Sequence, residues 1–175
     1  MAFIGEKNEG KIYQPGFFLA HDDCVRETRQ IAQAGATTTD SGAKYVKMGT
    51  VYPANDATAI GIVYEDVDVS VGDMPGSVVT KGIVYEDRLA VTSVDYQSVT
   101  PETGDNPKEK GWYERSGSAG SYVYTLTDDT TVQDGTTYYK AVEVRMSSTA
   151  KTALEGKGFT FKTSPTITRP DWNND

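Results

Sequence analysis

The sequence predicts a mainly β protein: a small β-rich body with one short helix near its C-terminal end and an inserted β-meander module. Three observations lead there. The 175 residues hold 17 Gly and 11 Tyr with abundant Val and Thr, a composition of turns and of side chains that pack well on a pleated surface. The β-formers come in short runs bounded by turn residues, and one of them, GIVYED, occurs twice, at 61–66 and at 82–87. A polar stretch, YQSVTPETGDNPKEKG, separates these runs from a smaller β group behind it and reads as a linker leaving the first sheet. The length suits one domain of about 100–130 residues carrying an insertion.

In chain order, residues 1–16 mix glycine, charge and polar groups and end in Pro15-Gly16. They offer too little apolar surface to offset the entropy of ordering, so residues 1–20 are read as an arm that a partner would hold. Over 22–34, Asp22 or Asp23 could cap a helix ending at Gly35, yet Val25, Glu27, Arg29 and Ile31 alternate as in a strand; strand is preferred. From Lys44 the runs AKYVKMGTVY, IGIVYEDVDVSV and SVVTKGIVYEDRLAV read as strands. Pro75-Gly76 suits the central pair of a type II turn. A hairpin around the loop Asp73-Met74-Pro75-Gly76, in the register that sets Tyr64 opposite Tyr85, Asp68 opposite Lys81 and Val71 opposite Val78, gains an aromatic and an opposite-charge pair, whereas centring it on Pro75 and Gly76 would set Glu65 against Glu86.

In the smaller group, GWYERSG, SYVYTLT and TTYYKAVEVRM are strands, with a turn at Asp134-Gly135. Ser147 or Ser148 then caps a short helix through TAKTALE, Gly156 stops it, and GFTFKT closes with Phe159 and Phe161 on one face. The tail, 164–175, is extended, with prolines at 165 and 170. The domain reading is therefore an arm at 1–20, a body from 21–95 with 145–163, an inserted module at 96–144, and the tail.

Several function classes are disfavoured by composition. A net charge of −8 repels phosphate backbones, and nowhere do Lys and Arg cluster with aromatics, so nucleic acid is not an expected partner. Charges at Glu6, Lys7, Glu9 and Lys11 occupy the place of a signal peptide's apolar run, and no stretch approaches the ~20 apolar residues of a membrane span; synthesis and folding in the cytoplasm, with no membrane partner, are expected. Cys24 is the single cysteine and can form no intrachain disulfide.

No catalytic, cofactor or metal residues are assigned. His21 stands in HDDC, but no second His or Cys exists to complete a usual zinc site. Asp66 and Asp68 would share a strand face about 6.5–7 Å apart, without the Gly-containing loop that calcium prefers; exposed acids at a strand end are the plainer reading. DDTTVQDG places Thr130 and Val132 where an EF-hand needs oxygen ligands and is read as a turn. Aromatics of the inserted module, Trp112 and Tyr139 foremost, either form its core or supply stacking faces for a glycan.

The order of these features carries a resemblance. AIGIVYEDVDV, a turn, VVTKGIVYEDRLAV and then, past the excursion, a Ser-capped helix, a glycine and GFTFKT resemble the lambda-like phage head decoration proteins. Ala59 to Ile62 match that family's first strand, Tyr85-Glu86-Asp87-Arg88-Leu89 its Tyr-Glu-Asp-x-Leu strand end, and Ser148 to Phe161 its helix and closing strand. The matched segments fall within 17–95 and 145–163; the module between them departs from the family and looks like one found in structural proteins of tailed phages. The resemblance implies a non-enzymatic virion protein on the outer surface of an icosahedral capsid. It would bind as a homotrimer, cement the major capsid protein lattice and dock through its N-terminal arm, where Phe3, Ile4, Ile12, Tyr13, Phe17 and Phe18 are the apolar candidates for capsid binding. The alternative is an adhesin or carbohydrate-binding module that reaches a host surface or glycan through Trp112 and Tyr139.

Overall fold

The computed structural model describes residues 14–165 and is mainly β, with 36% strand against 7% helix, so the predicted class is the observed one. The chain divides into two compact units, one of residues up to Val91 together with those from Arg145, the other Thr92–Val144. The first unit begins with β1 (Val25–Ile31), β2 (Thr37–Thr38), β3 (Lys44–Val46), β4 (Val51–Tyr52), β5 (Gly61–Val63), β6 (Val67–Asp68), β7 (Met74–Lys81) and β8 (Ile83–Tyr85), followed by a 3-10 turn at Glu86–Arg88. The second unit contains β9 (Ser93–Ser98), β10 (Tyr113–Ser116), β11 (Val123–Leu126) and β12 (Tyr138–Val144). Helix α1 (Ser148–Glu155) and β13 (Thr160–Lys162) complete the first.

An antiparallel sheet in the order β1-β7-β5-β4 organises the first unit, beside a β2-β3-β6 sheet and a parallel β8-β13 pair. Its central strands are apolar at consecutive positions because both faces are covered. Ile62 lies opposite Val79 and Val63 opposite Val78. One pair joins a core with Phe18, Leu89, Leu154 and Phe159, and the other joins Ile31, Val67 and Val69 on the reverse face. In α1 the Ser147 hydroxyl accepts the Ala150 N–H at 3.1 Å, and Ala150 and Leu154, four apart, are the buried pair. Gly156 ends the helix as predicted but in right-handed geometry, and the left-handed turn that follows, φ +92°, falls at Gly158. Phe159 and Phe161 then stack with centroids 6.1 Å apart.

Two turn and register expectations are corrected. Pro75 and Gly76 lie inside β7, opposite Gln30 and Arg29, and the chain reverses earlier, where the Gly72 N–H bonds the Val69 carbonyl at 3.1 Å. The Tyr64 N–H bonds Ser77, so Ser77 turns its backbone groups toward β5, and by alternation Pro75 also faces away from β1. Its missing N–H therefore falls past the end of β5 and costs no ladder bond. Gly76 is there for space: a methyl group would lie 2.7 Å from both Ile31 Cγ1 and Val67 Cγ2.

The GIVYED copies consequently do not pair with each other. Asp68 lies opposite Tyr45, Lys81 opposite Val25, and Tyr85 opposite Lys162. Tyr64 instead packs on Gly16 and beneath Arg26. The first copy leaves its sheet after Tyr64, whose N–H still bonds Ser77; the Asp66 carboxylate accepts the Met48 N–H at 2.7 Å, and Val67 and Asp68 pair with β3. Within 22–34, Val25–Ile31 form strand β1 and no helix is present. Tyr96, Gln97 and Ser98, read as linker, belong to β9, so the second unit starts at Thr92 rather than 96.

The second unit is one antiparallel sheet, β11-β10-β12-β9. Trp112, Tyr138 and Tyr139 are buried. The Tyr138 hydroxyl donates to Asp129 Oδ2 at 2.5 Å and accepts the Gln133 N–H at 3.1 Å. Burial first, and the Asp129 carboxylate second, raise its pKa above the ordinary tyrosine value.

Candidate functional site

The second GIVYED copy is the point on which both described ends of the chain converge. β8 has β13 along one side in parallel register. Against its backbone also run residues 18–20: the Tyr85 N–H bonds the Phe18 carbonyl at 2.8 Å, and the Ala20 N–H bonds the Ile83 carbonyl at 2.8 Å. A bridge between Leu19 and Val84 completes this contact. One three-residue strand thus carries the segment entering the body and the segment leaving it.

Arg88 fastens both. Its guanidinium lies over the rings of Phe17, at 4.5 Å, and Tyr85, at 4.4 Å. It donates through Nη1 to the Phe17 carbonyl at 3.2 Å and through Nε to Ser164 Oγ at 2.7 Å. A planar fork that stacks and donates at once is a capacity arginine has and lysine lacks. Next to it, the Asp87 carboxylate accepts the Ser164 N–H at 2.8 Å, and hydrogen bonding from Ser164, then the charge of Arg88, hold its pKa below the usual carboxylate value. Glu86 pairs with Lys151 of α1 at 2.6 Å, tying the 3-10 turn to the helix.

In the first copy the acids do turn work. Asp66 holds Met48, and Asp68 Oδ1 accepts the Ser70 N–H at 2.9 Å. Among the described residues no group of three or more His, Cys, Asp or Glu side chains is placed to hold a metal ion. His21 and Cys24 line an open cleft of about 430 Å³ with Asp23, Lys81 and Gly158; His21 is exposed and Cys24 half-buried. No helix of the described residues is long and apolar enough to cross a membrane.

The six apolar capsid-binding candidates separate. Phe3, Ile4, Ile12 and Tyr13 lie outside the described residues. Phe17 is 49% exposed beside Arg88. Phe18 is fully buried among Val84, Leu89 and Phe159, so it is corrected from a docking residue to an anchor: alternation at the body's edge sends one of two adjacent phenylalanines inward.

Trp112 and Tyr139 are likewise corrected, each only 7% exposed and so unable to offer an open face to a sugar. The half-buried tyrosines beside them do not replace that platform. Tyr96 and Tyr124 stack on each other at 3.9 Å and 3°, with Tyr113 edge-on against Tyr96 and Tyr139 edge-on against Tyr124.

Sequence reasoning marked Asp87 and Arg88 only as part of a strand-end pattern, without their clasping role, and passed over Ser164. The available signal was the difference between the copies: Val67-Asp68 follows the first, Arg88-Leu89 the second. No family model, no curated protein and no solved structure matches the chain.

Proposed function

We propose that the chain is a structural, non-enzymatic virion protein that binds the outside of an icosahedral phage head as trimers and cements the major capsid protein lattice. The observation that carries this reading is the convergence of both chain ends on β8, with Arg88 clasping Phe17 and Ser164. An N-terminal segment poor in core-forming residues but leaving from a fixed, half-apolar platform is suited to being ordered by a partner. The elements named by the resemblance also support it, since the Tyr-Glu-Asp-Arg-Leu strand and the closing GFTFKT strand are neighbours in register. Trimers that bind only the expanded lattice stabilise it by mass action against internal pressure.

The test is co-sedimentation of the purified protein with expanded heads lacking decoration, alongside native mass spectrometry. Trimers that pellet with heads and raise their thermal rupture temperature are the expected outcome. A stable monomer with no affinity for heads would overturn the proposal.

A further inference from the structure

We infer that the outer edge of β1 is a two-fold pairing edge for a second copy of this chain, each β1 adding antiparallel to the other about Thr28. β1 is the terminal strand of its sheet, with β7 as its one strand neighbour among the described residues, and is exposed on both faces from Val25 to Gln30. The direction of its free backbone groups follows from its neighbours. Ser77 and Val79 turn their N–H and C=O toward β5, as the Tyr64 to Ser77 bond shows. Their partners on β1, Thr28 and Arg26, therefore direct theirs away from β7. Gln30 follows by alternation. Its carbonyl accepts the Tyr52 hydroxyl at 3.1 Å, which leaves a second lone pair for a strand partner.

Charge then selects both the partner and the register. Charged residues on an edge ordinarily deter pairing, but VRETRQI complements itself. About Thr28, the outward-facing groups meet as Arg26 with Gln30, Thr28 with Thr28 and Gln30 with Arg26. The positions between them place Glu27 opposite Arg29 twice, where cross-strand side chains come closest. The neighbouring registers of the same hydrogen-bonding phase set Glu27 against Glu27 or Arg29 against Arg29. The intrachain Glu27–Arg29 ion pair is exposed on both sides, so it exchanges with the partner's at little cost. The regular ladder runs from Arg26 to Gln30, since the register shifts between Val25 and Arg26 and Ile31 is buried in its own core. A five-residue ladder is a small interface, and the contact belongs to the weak, concentration-dependent class. It is isologous, unlike the head-to-tail contact that closes a trimeric ring, and does not depend on the capsid reading.

The test uses the full chain in native mass spectrometry over a concentration series, with residue-resolved amide exchange. Paired species should appear at high concentration. The Arg26, Thr28 and Gln30 amides should slow with them, while those of Glu27 and Arg29, which already face β7, stay constant. Arg29→Glu or Glu27→Arg should weaken pairing about tenfold, since each creates two like-charge oppositions, and the double swap Glu27→Arg/Arg29→Glu should restore it. A Cys24→Ser/Thr28→Cys chain should form an intermolecular disulfide, because paired positions of this kind have Cα atoms about 5.5 Å apart. The inference is overturned by exchange at Arg26, Thr28 and Gln30 that ignores concentration, by their protection in an unpaired species, or by a double swap no better than the single variants.

Discussion

The Arg88 guanidinium lies 4.5 Å from the centre of the Phe17 ring and also donates to the Phe17 carbonyl. This one side chain sets where the N-terminal segment leaves the body, and through Ser164 it does the same for the C-terminal segment. Arg88→Ala should lower unfolding free energy by about 1–2 kcal/mol, the sum expected for a stacked cation and charge-assisted hydrogen bonds at a half-buried site. Arg88→Lys should recover less than half of that, because an ammonium cannot stack on both rings and reach both oxygens. Urea unfolding curves with unchanged slope check both values. In the capsid reading, Arg88→Ala also weakens binding to expanded heads more than it weakens the body.

Acid should loosen the C-terminal exit before the core. Asp87 has its pKa lowered by hydrogen bonds from Ser164 and then by Arg88. The sign follows: a carboxylate held below its unfolded value contributes fully above that value, about 3.9 for aspartate, and its contribution is lost as pH falls through the lowered folded value. The Ser164 amide resonance should therefore be constant from neutrality to about pH 4 and move only below it. Asp87→Asn should show a flat profile over the same range. A Ser164 resonance that titrates near neutrality would contradict the assignment.

What could be read in the sequence divides by range. Helix α1 was legible because its cap, its stop and the spacing of Ala150 and Leu154 all lie within ten residues. The alternation of Val25, Glu27, Arg29 and Ile31 similarly marked a strand against the competing cap at Asp22 or Asp23. Pro75-Gly76 misled because a strong local turn signal was overridden at long range: Gly76 is required under Ile31 and Val67. The pairing of the two hexapeptides failed for a related reason. Nothing local to Tyr64 reveals that Asp66 will accept the Met48 N–H and that Val67 and Asp68 will pair with β3. Of the candidate site, only Phe17 and the Tyr-Glu-Asp-Arg-Leu segment were visible beforehand, since the partners of Arg88 and Asp87 are more than seventy residues distant in sequence.

The two hexapeptide glycines should respond differently to the same substitution. At Gly61 a methyl group would lie 2.4 Å from the Val79 carbonyl oxygen and 2.5 Å from Val78 Cγ1, between strands that cannot separate without losing their ladder. Gly61→Ala should cost about 1–3 kcal/mol or more as overpacking. At Gly82 the nearest atom is Cys24 Cβ at 3.2 Å, a contact that a few tenths of an ångström relieves. The unfolded chain also loses entropy when Gly becomes Ala, worth about 0.4–1 kcal/mol in favour of folding. Gly82→Ala should thus be near neutral. Equal losses in thermal unfolding of the two variants would show that the copies are packed alike, against the geometry.

Tyr138→Phe tests whether the second unit is held by its buried aromatic centre. The ring is fully buried, and its hydroxyl joins Asp129 to the Gln133 N–H. Removing the oxygen keeps the apolar surface but strips one donor from a carboxylate and one acceptor from a backbone amide. Asp129 is half-buried and can turn partly to water, whereas the Gln133 N–H, which opens the turn that the Thr136 N–H closes on the Gln133 carbonyl, loses the Tyr138 oxygen as its acceptor. The expected loss is about 1–3 kcal/mol, the range for leaving a part-buried polar group without its partner. Because Tyr138 belongs to the Thr92–Val144 unit, residue-resolved exchange should show the loss across β9, β10, β11 and β12 while Val63, Val78 and Val79 keep their protection. A uniform loss over both units would mean that they unfold as one, and no loss at all would mean that water replaces the hydroxyl at the Gln133 amide.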